Sequence, residues 1–284
     1  MGPFKRSDLK GSLIDHTISG GGNIQLHLVE SGNSTGQPIL FIHGFSQCCF
    51  CWTRQLSSNL ADDYRLVAMD IRGHGLSDRP HDAYSDSKLW ADDIRAAVHT
   101  LNLDRPILCG WSYGPLIILD YIRHYGEDGI RGIVFVGGVT KLGSNEATSV
   151  LAPEFLSLVP GFFTNDVEQS LSSLQSLLQL CFARKLSAQE LYMMLGYNAS
   201  VPPHVRQALL SRSIDNDDLL QKICTPVLIA HGAMDAVVKP TAVDQHKSRL
   251  AHAEVRMLAN AGHAAFWDDA PEFNQHLRQF SKNL

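Results

Sequence analysis

The chain has 284 residues, with 24 Lys and Arg against 29 Asp and Glu, a formal charge of −5. At roughly 150 residues per domain, this length suggests about two domains or one large α/β domain with an insertion. A hydrophobic share of 44% with 19% charged residues argues against a disordered chain, the acidic balance gives no reason to bind nucleic acid or an anionic membrane, and no apolar run approaches the roughly 18 residues of a membrane span.

The opening segment MGPFKRSDLKGSL is polar and lacks an apolar signal core, and Arg6 stands where a myristoylation pattern wants Ser or Thr. A cytoplasmic enzyme is the expectation. Short β-rich runs follow at Ile24–Glu30, Ile39–His43, Arg65–Asp70, Pro106–Cys109 and Gly132–Val136, with two more at Val227–His231 and Glu254–Leu258. Several are continuously apolar, as in strands covered on both faces, and they alternate with amphipathic stretches. Ser87 reads as the N-cap of a helix whose stripe is Leu89, Ile94, Ala97, Val98 and Leu101. Near the end, Pro271 fits a first helical turn ahead of Phe273, Leu277 and Phe280.

The alternation breaks after Val139. Residues 141–220 read as helical, with apolar stretches at Ser149–Val159, Val167–Phe182, Ala188–Tyr197 and Val205–Leu210, punctuated by Pro153, Pro160, Gly161, Pro202 and Pro203. Thr225-Pro226 then leads back into a strand. The predicted organisation is an α/β core of residues 1–140 and 221–284, with a helical insertion of residues 141–220 between two strands of one mostly parallel sheet.

Six cysteines are present, three of them crowded at Cys48, Cys49 and Cys51. No second pair at ligand spacing accompanies them, so free thiols are expected and no metal site. Cys109, at the end of an apolar run, reads as a small buried hydrophobe.

The sharpest chemical signal is Gly-Trp-Ser-Tyr-Gly at positions 110–114, between a strand and a helix. That is the context of a nucleophile elbow, in which glycines permit a sharp turn and expose a serine hydroxyl, here Ser112, at a helix N-terminus. A serine needs a base, and His263 follows the last strand. The base needs an acid to hold its tautomer, and Asp235 follows the strand before. All three lie at C-terminal strand ends, where open α/β sheets bind ligands. The backbone N–H groups of Tyr113 and of Phe45, which follows Ile39–His43, are the candidate oxyanion donors.

In these residues the chain resembles the α/β-hydrolase fold superfamily, in its cap-bearing serine esterase and lactonase branch. The matching segments are His43-Gly44-Phe45, DIRGHGLS from Asp70 to Ser77, GWSYG, Asp235 and His263, in the family's order and across nearly the whole chain. The resemblance implies that DIRGHGLS is a structural loop, with Arg72 and His74 as scaffold, and that the helical insertion is a cap over the active site. Pro115 departs from the pattern, since many relatives carry a second glycine there. It also implies acyl transfer to water, because relatives that are dehalogenases or epoxide hydrolases carry Asp in place of Ser112.

Trp111, Met194, Tyr197 and Trp267 are the expected substrate-binding residues, with Phe162, Phe163 and Met193 as further wall candidates. Together they predict an apolar pocket for a neutral small-molecule ester or lactone, N-acyl homoserine lactones among them, without cofactor or metal. Three alternatives stay open: a carbon–carbon hydrolase of aromatic degradation, a cofactor-free perhydrolase or haloperoxidase-like enzyme, and a ligand sensor with residual hydrolase activity. Oligomeric state is not legible.

Overall fold

The computed structural model describes residues 13–284; the opening segment read for secretion and myristoylation lies almost wholly outside the described residues. An eight-stranded sheet runs through the molecule. Its strands are β1 (Ile14–Ser19), β2 (Gln25–Gly32), β3 (Gln37–Ile42), β4 (Tyr64–Met69), β5 (Ile107–Trp111), β6 (Gly132–Val136), β7 (Val227–Gly232) and β8 (Glu254–Leu258), in the spatial order β1-β2-β4-β3-β5-β6-β7-β8. β2 is antiparallel to both β1 and β4, and every other pairing is parallel.

The continuously apolar runs occupy the middle of the sheet. All residues of β5, β6 and β7 are buried, because helices cover both faces of a parallel sheet and leave no polar side. β1 was not anticipated. It sits at the edge, mostly exposed, and the pattern of Ile-Asp-His-Thr-Ile-Ser carries little of the apolar signal by which buried strands are read.

The helices before the long insertion are α1 (Thr53–Leu56), α2 (Ser87–Thr100) and α3 (Gly114–Tyr125). Asp86, not Ser87, caps α2, its carboxylate accepting from the N–H of Lys88. Ser87 is the first helical residue, and its hydroxyl pairs with Nε2 of His124 instead. Between β6 and β7 lie α4 (Asn145–Ser149), α5 (Pro153–Phe163), α6 (Val167–Cys181), α7 (Ala188–Ala199), α8 (Pro203–Leu210) and α9 (Asp217–Leu220). A capping box at Ser187 and Glu190 starts α7. The chain closes with α10 (Ala242–Arg249), α11 (Ala265–Asp268) and α12 (Ala270–Lys282). Among the described residues no helix is long and apolar enough to cross a membrane.

Arg206 of α8 ties the inserted helices together. Its guanidinium, fully buried, donates to the carbonyls of Phe162 and Asn198 and to the hydroxyl of Ser170. Three other helices are thereby held from one side chain. Burial lowers its pKa to about 10.

Candidate active site

Ser112 follows β5 with φ of +57°, a left-handed backbone that non-glycine residues adopt at a cost. Its neighbours make the turn compulsory. A Cβ at Gly110 would lie 2.7 Å from the backbone of Gly114 and Pro115, and one at Gly114 would lie 2.6 Å from the carbonyl oxygen of Ile42. The turn is held by the end of β6: Ser112 N–H donates to Val136 O, and Ser112 O accepts from Val139 N–H. α3 begins at Gly114 with Pro115 in its first turn, where a missing N–H leaves no intrahelical bond unmade.

The expected acid and base meet in space. His263 Nδ1 lies 2.8 Å from Asp235 Oδ2, and both side chains are buried. Asp235 Oδ1 accepts from the N–H groups of Val237 and Val238, and Oδ2 also faces His231 Nε2 at 3.2 Å. Burial opposes ionisation of Asp235, yet the charge and hydrogen bonds of His263 and His231 hold its carboxyl well below the usual carboxylate range. An ionised acceptor at Nδ1 keeps the His263 proton there and leaves Nε2 as the basic nitrogen. The indole of Trp111 fixes the loop by donating to His263 O at 3.0 Å. The N–H of Gly262, next to His263, donates to Asp268.

The loop after β3 packs directly onto the serine. A Cβ at Gly44 would lie 2.8 Å from Ser112 Cβ and 3.5 Å from Oγ, so only glycine allows this approach. Two buried imidazoles hold the loop from the core. His43 Nδ1–H donates to Gly44 O while Nε2 accepts from Ile71 N–H, and His74 Nδ1–H donates to Arg72 O while Nε2 accepts from Ser46 N–H. Both roles require neutral rings. Burial lowers the pKa of His43 and takes His74 down to about 3. DIRGHGLS therefore acts as scaffold here: Arg72 is paired with Asp93 and fully buried, and Asp70 binds His27 and the N–H of Cys49.

Ser112, His263, Phe45, Tyr113, Trp111, Gly44 and Gln47 line one cavity of about 50 Å³. Its remaining walls are apolar and include Val139, Leu142, Phe155, Leu177, Leu210 and Val238; among the described residues no Lys, Arg, Asp or Glu takes part. Of the four expected substrate-binding residues only Trp111 lines it, and none of the further candidates Phe162, Phe163 and Met193 does. Met194 is buried within the inserted helices, where its carbonyl accepts from Asn198. Tyr197 has a buried hydroxyl without a partner among the described residues and stands near Cys48, Cys51 and Cys181, and the surrounding burial pushes its pKa well up. Trp267 lies beneath the Arg54 guanidinium, 4.7 Å from the ring centroid. Phe162 stands behind the wall, 5.4 Å from the Phe45 ring. Aromatic and Met residues fill helix interfaces as readily as pockets, so their identity alone did not distinguish the two.

Sequence reasoning missed Gly137. At φ of +49°, it lies where a Cβ would stand 3.0 Å from His263 Nδ1 and 3.2 Å from Asp235 Oδ2. Its only local signal was the Gly-Gly pair after β6. The cysteines are free thiols, buried except for Cys224. His27, Cys49 and Asp70 place ligand-type atoms within 4.8 Å of one another. Asp70 is already engaged by three hydrogen bonds, to His27 and to the N–H groups of Cys49 and Leu76, which reads as a structural knot.

The family model for the alpha/beta hydrolase fold matches residues 37–270. The chain belongs to that family. It is 28% identical over 285 residues to AB hydrolase superfamily protein YisY of Bacillus subtilis, covering 95% of this chain and all of the relative. Among solved structures it is similar to esterase RhEst1 from Rhodococcus sp. ECU1013, at TM-score 0.87 and 32% identity, over 94% of this chain and 98% of that one. It also resembles Est816, described as an N-acyl homoserine lactone degrading enzyme, at TM-score 0.76 and 25% identity, over 93% and 99% of the two chains. The hydrolase is thus matched along nearly its whole length.

Proposed function

We propose that this hydrolase cleaves neutral carboxylic esters or lactones through a covalent acyl-serine. The observation that carries the reading is the convergence of Ser112, in its left-handed turn, and the Asp235-bonded His263 on one apolar cavity. Ser112 Oγ attacks the carbonyl carbon while His263 Nε2 takes its proton. The N–H groups of Phe45 and Tyr113 receive the negative charge that develops on the carbonyl oxygen. The tetrahedral species collapses, His263 passes its proton to the departing alcohol, and the acyl group remains on Ser112. Water then repeats the sequence, giving its proton to His263 and its oxygen to the acyl carbon, and Ser112 is restored. Asp235 stays ionised and stabilises the imidazolium in both halves.

The substrate class follows from the walls. With no Lys, Arg, Asp or Glu among the described residues lining the cavity, an anionic group would be left unpaired in an apolar site. This favours esters and lactones over the acidic dienoates of a carbon–carbon hydrolase. At roughly 10–15 Å³ per water, about 50 Å³ suits a short acyl group. Helices α5, α6 and α8 supply Phe155, Leu177 and Leu210 to the walls, the part a cap plays. Resemblance to an esterase and to a lactone-degrading enzyme supports the same class.

The test is hydrolysis of 4-nitrophenyl esters of increasing acyl length, together with an N-acyl homoserine lactone, with Ser112→Ala as the blank. Turnover that favours acetyl or propionyl esters and vanishes in the variant is expected. Activity that survives in Ser112→Ala would end the acyl-serine mechanism, and inertness toward every ester and lactone would end the substrate class.

A further inference from the structure

Gly44, Phe45, Ser46 and Gln47 form the loop that reaches over Ser112, and its core side is fastened by His43 and His74. Its other side is hydrogen-bonded to Asn198 of the inserted helices. Asn198, fully buried near the end of α7, accepts from Gln47 Nε2 at its side-chain oxygen, 3.3 Å away. Its carbonyl accepts from Ser46 Oγ at 3.4 Å. Asn198 cannot swing away, because its own Nδ2 donates to Met194 O at 2.8 Å and its carbonyl also receives Arg206 Nη1.

These contacts are buried, so their loss would leave Gln47 Nε2 without a partner beside the cavity. Ser46 lies at φ of +61°, a conformation that surrounding contacts must hold in place. Phe45 immediately precedes the two Asn198-linked residues and lines the same cavity as Ser112, and its ring is packed against Phe162, whose carbonyl is a second acceptor of Arg206. Tyr113 is fastened to the same helices. Its hydroxyl donates to Leu209 O of α8 and accepts from Arg212, which is paired with Asp120.

We infer that Asn198 is a positioning residue for the hydrolytic reaction: from the inserted helices it holds the Gly44–Gln47 loop, and with it the Phe45 N–H, at the distance from Ser112 that the oxyanion needs. This rests on the acyl-serine reading above. Asn198 touches neither substrate nor nucleophile; it acts through Ser46 and Gln47. Misplacing an oxyanion donor weakens binding of the transition state but not of the ground-state ester. The signature is therefore a fall in kcat with KM nearly constant.

The experiment uses the full chain and 4-nitrophenyl acetate, with wild type, Ser112→Ala, Asn198→Ala and Ser46→Ala. Ser46→Ala removes one hydroxyl and leaves the helix interior intact, which keeps the test usable if Asn198→Ala folds poorly. Thermal unfolding accompanies each variant. Asn198→Ala is expected to lower kcat about 10- to 100-fold with KM changed less than about threefold, by analogy with the cost of a displaced catalytic group. Ser46→Ala is expected to give a smaller fall of the same kind, and both variants to bind a phenylboronic acid inhibitor correspondingly less tightly. Ser112-dependent turnover with kcat and inhibitor affinity unchanged in folded variants would overturn the role of Asn198 and leave the acyl-serine reading standing. Loss of the wild type's Ser112 dependence would overturn both.

Discussion

Asp235 Oδ2 is shared between two imidazoles: His263 Nδ1 at 2.8 Å and His231 Nε2 at 3.2 Å. His231 Nε2 also lies 2.9 Å from Val238 O, so the proton sits on Nε2 and faces two acceptors. One buried carboxylate thus anchors a strand-end histidine and orients the proposed base.

Asp235→Asn tests the second of these duties. The amide oxygen can still accept from Val237 and Val238, and His231 keeps its bond to Val238 O, so folding should survive. The amide nitrogen then faces His263 Nδ1 as a donor and drives the ring proton to Nε2, the wrong tautomer for a base. A fall in kcat on the order of 10³–10⁴ is expected, with a modest drop in melting temperature because the His231 Nε2–H then faces an amide nitrogen instead of a carboxylate oxygen. A loss below tenfold would remove Asp235 from the reaction.

Ser112 stores backbone strain. A left-handed L-residue costs about 1–2 kcal/mol, and glycine returns part of that gain through its greater unfolded-state entropy. Ser112→Gly should therefore abolish turnover yet stabilise the fold by about 0.5–1 kcal/mol, read as a rise of roughly 1–3 °C in melting temperature. Destabilisation would show that the hydroxyl's contacts outweigh the strain.

Gly137→Ala should damage the site from behind. The added Cβ meets His263 Nδ1 and Asp235 Oδ2 at 3.0 and 3.2 Å, at a φ that alanine resists. A fall in kcat of about tenfold or more and a loss of roughly 1–3 kcal/mol in stability are expected. Steady-state kinetics beside urea unfolding would measure both, and wild-type kcat would exclude any pressure on the His–Asp pair.

Acid should destabilise the fold through buried neutral histidines. Burial takes His74 and His246 from 6.5 to about 3. The unfolded chain binds these protons below about 6.5 and the folded chain only near 3, so stability is full above the first value and is lost as pH falls between them. Two such groups set an upper slope of about 2.7 kcal/mol per pH unit. Urea unfolding at pH 7 and pH 5 should show the loss, and His246→Leu should reduce the slope. A flat profile would mean that both rings are protonated without cost.

Phe155→Ala should lengthen the preferred acyl chain, because Phe155 of α5 forms part of the cavity wall. A methylene accommodated in an apolar pocket is worth about tenfold or more in kcat/KM. The ratio of hexanoyl to acetyl ester rates should rise by at least that factor. An unchanged ratio would place the acyl group elsewhere.

The strand–turn–helix order around Ser112 and the strand ends before Asp235 and His263 were legible in the sequence, since each depends on local patterns of apolar runs, glycines and turns. So was the long helical stretch after β6. What only the tertiary structure decided is which side chains face one another across that framework. Met194, Tyr197 and Trp267 resemble pocket residues by type, but packing buried Met194 away from the cavity, set Tyr197 near the cysteines and laid Trp267 beneath Arg54. Phe155 and Leu177 became walls because α5 and α6 lie over the sheet's C-terminal edge. Gly137 and Asn198 matter only through distances to residues far from them in sequence. Periodicity records which face of an element is buried; it carries no information about what the other surface brings to meet it.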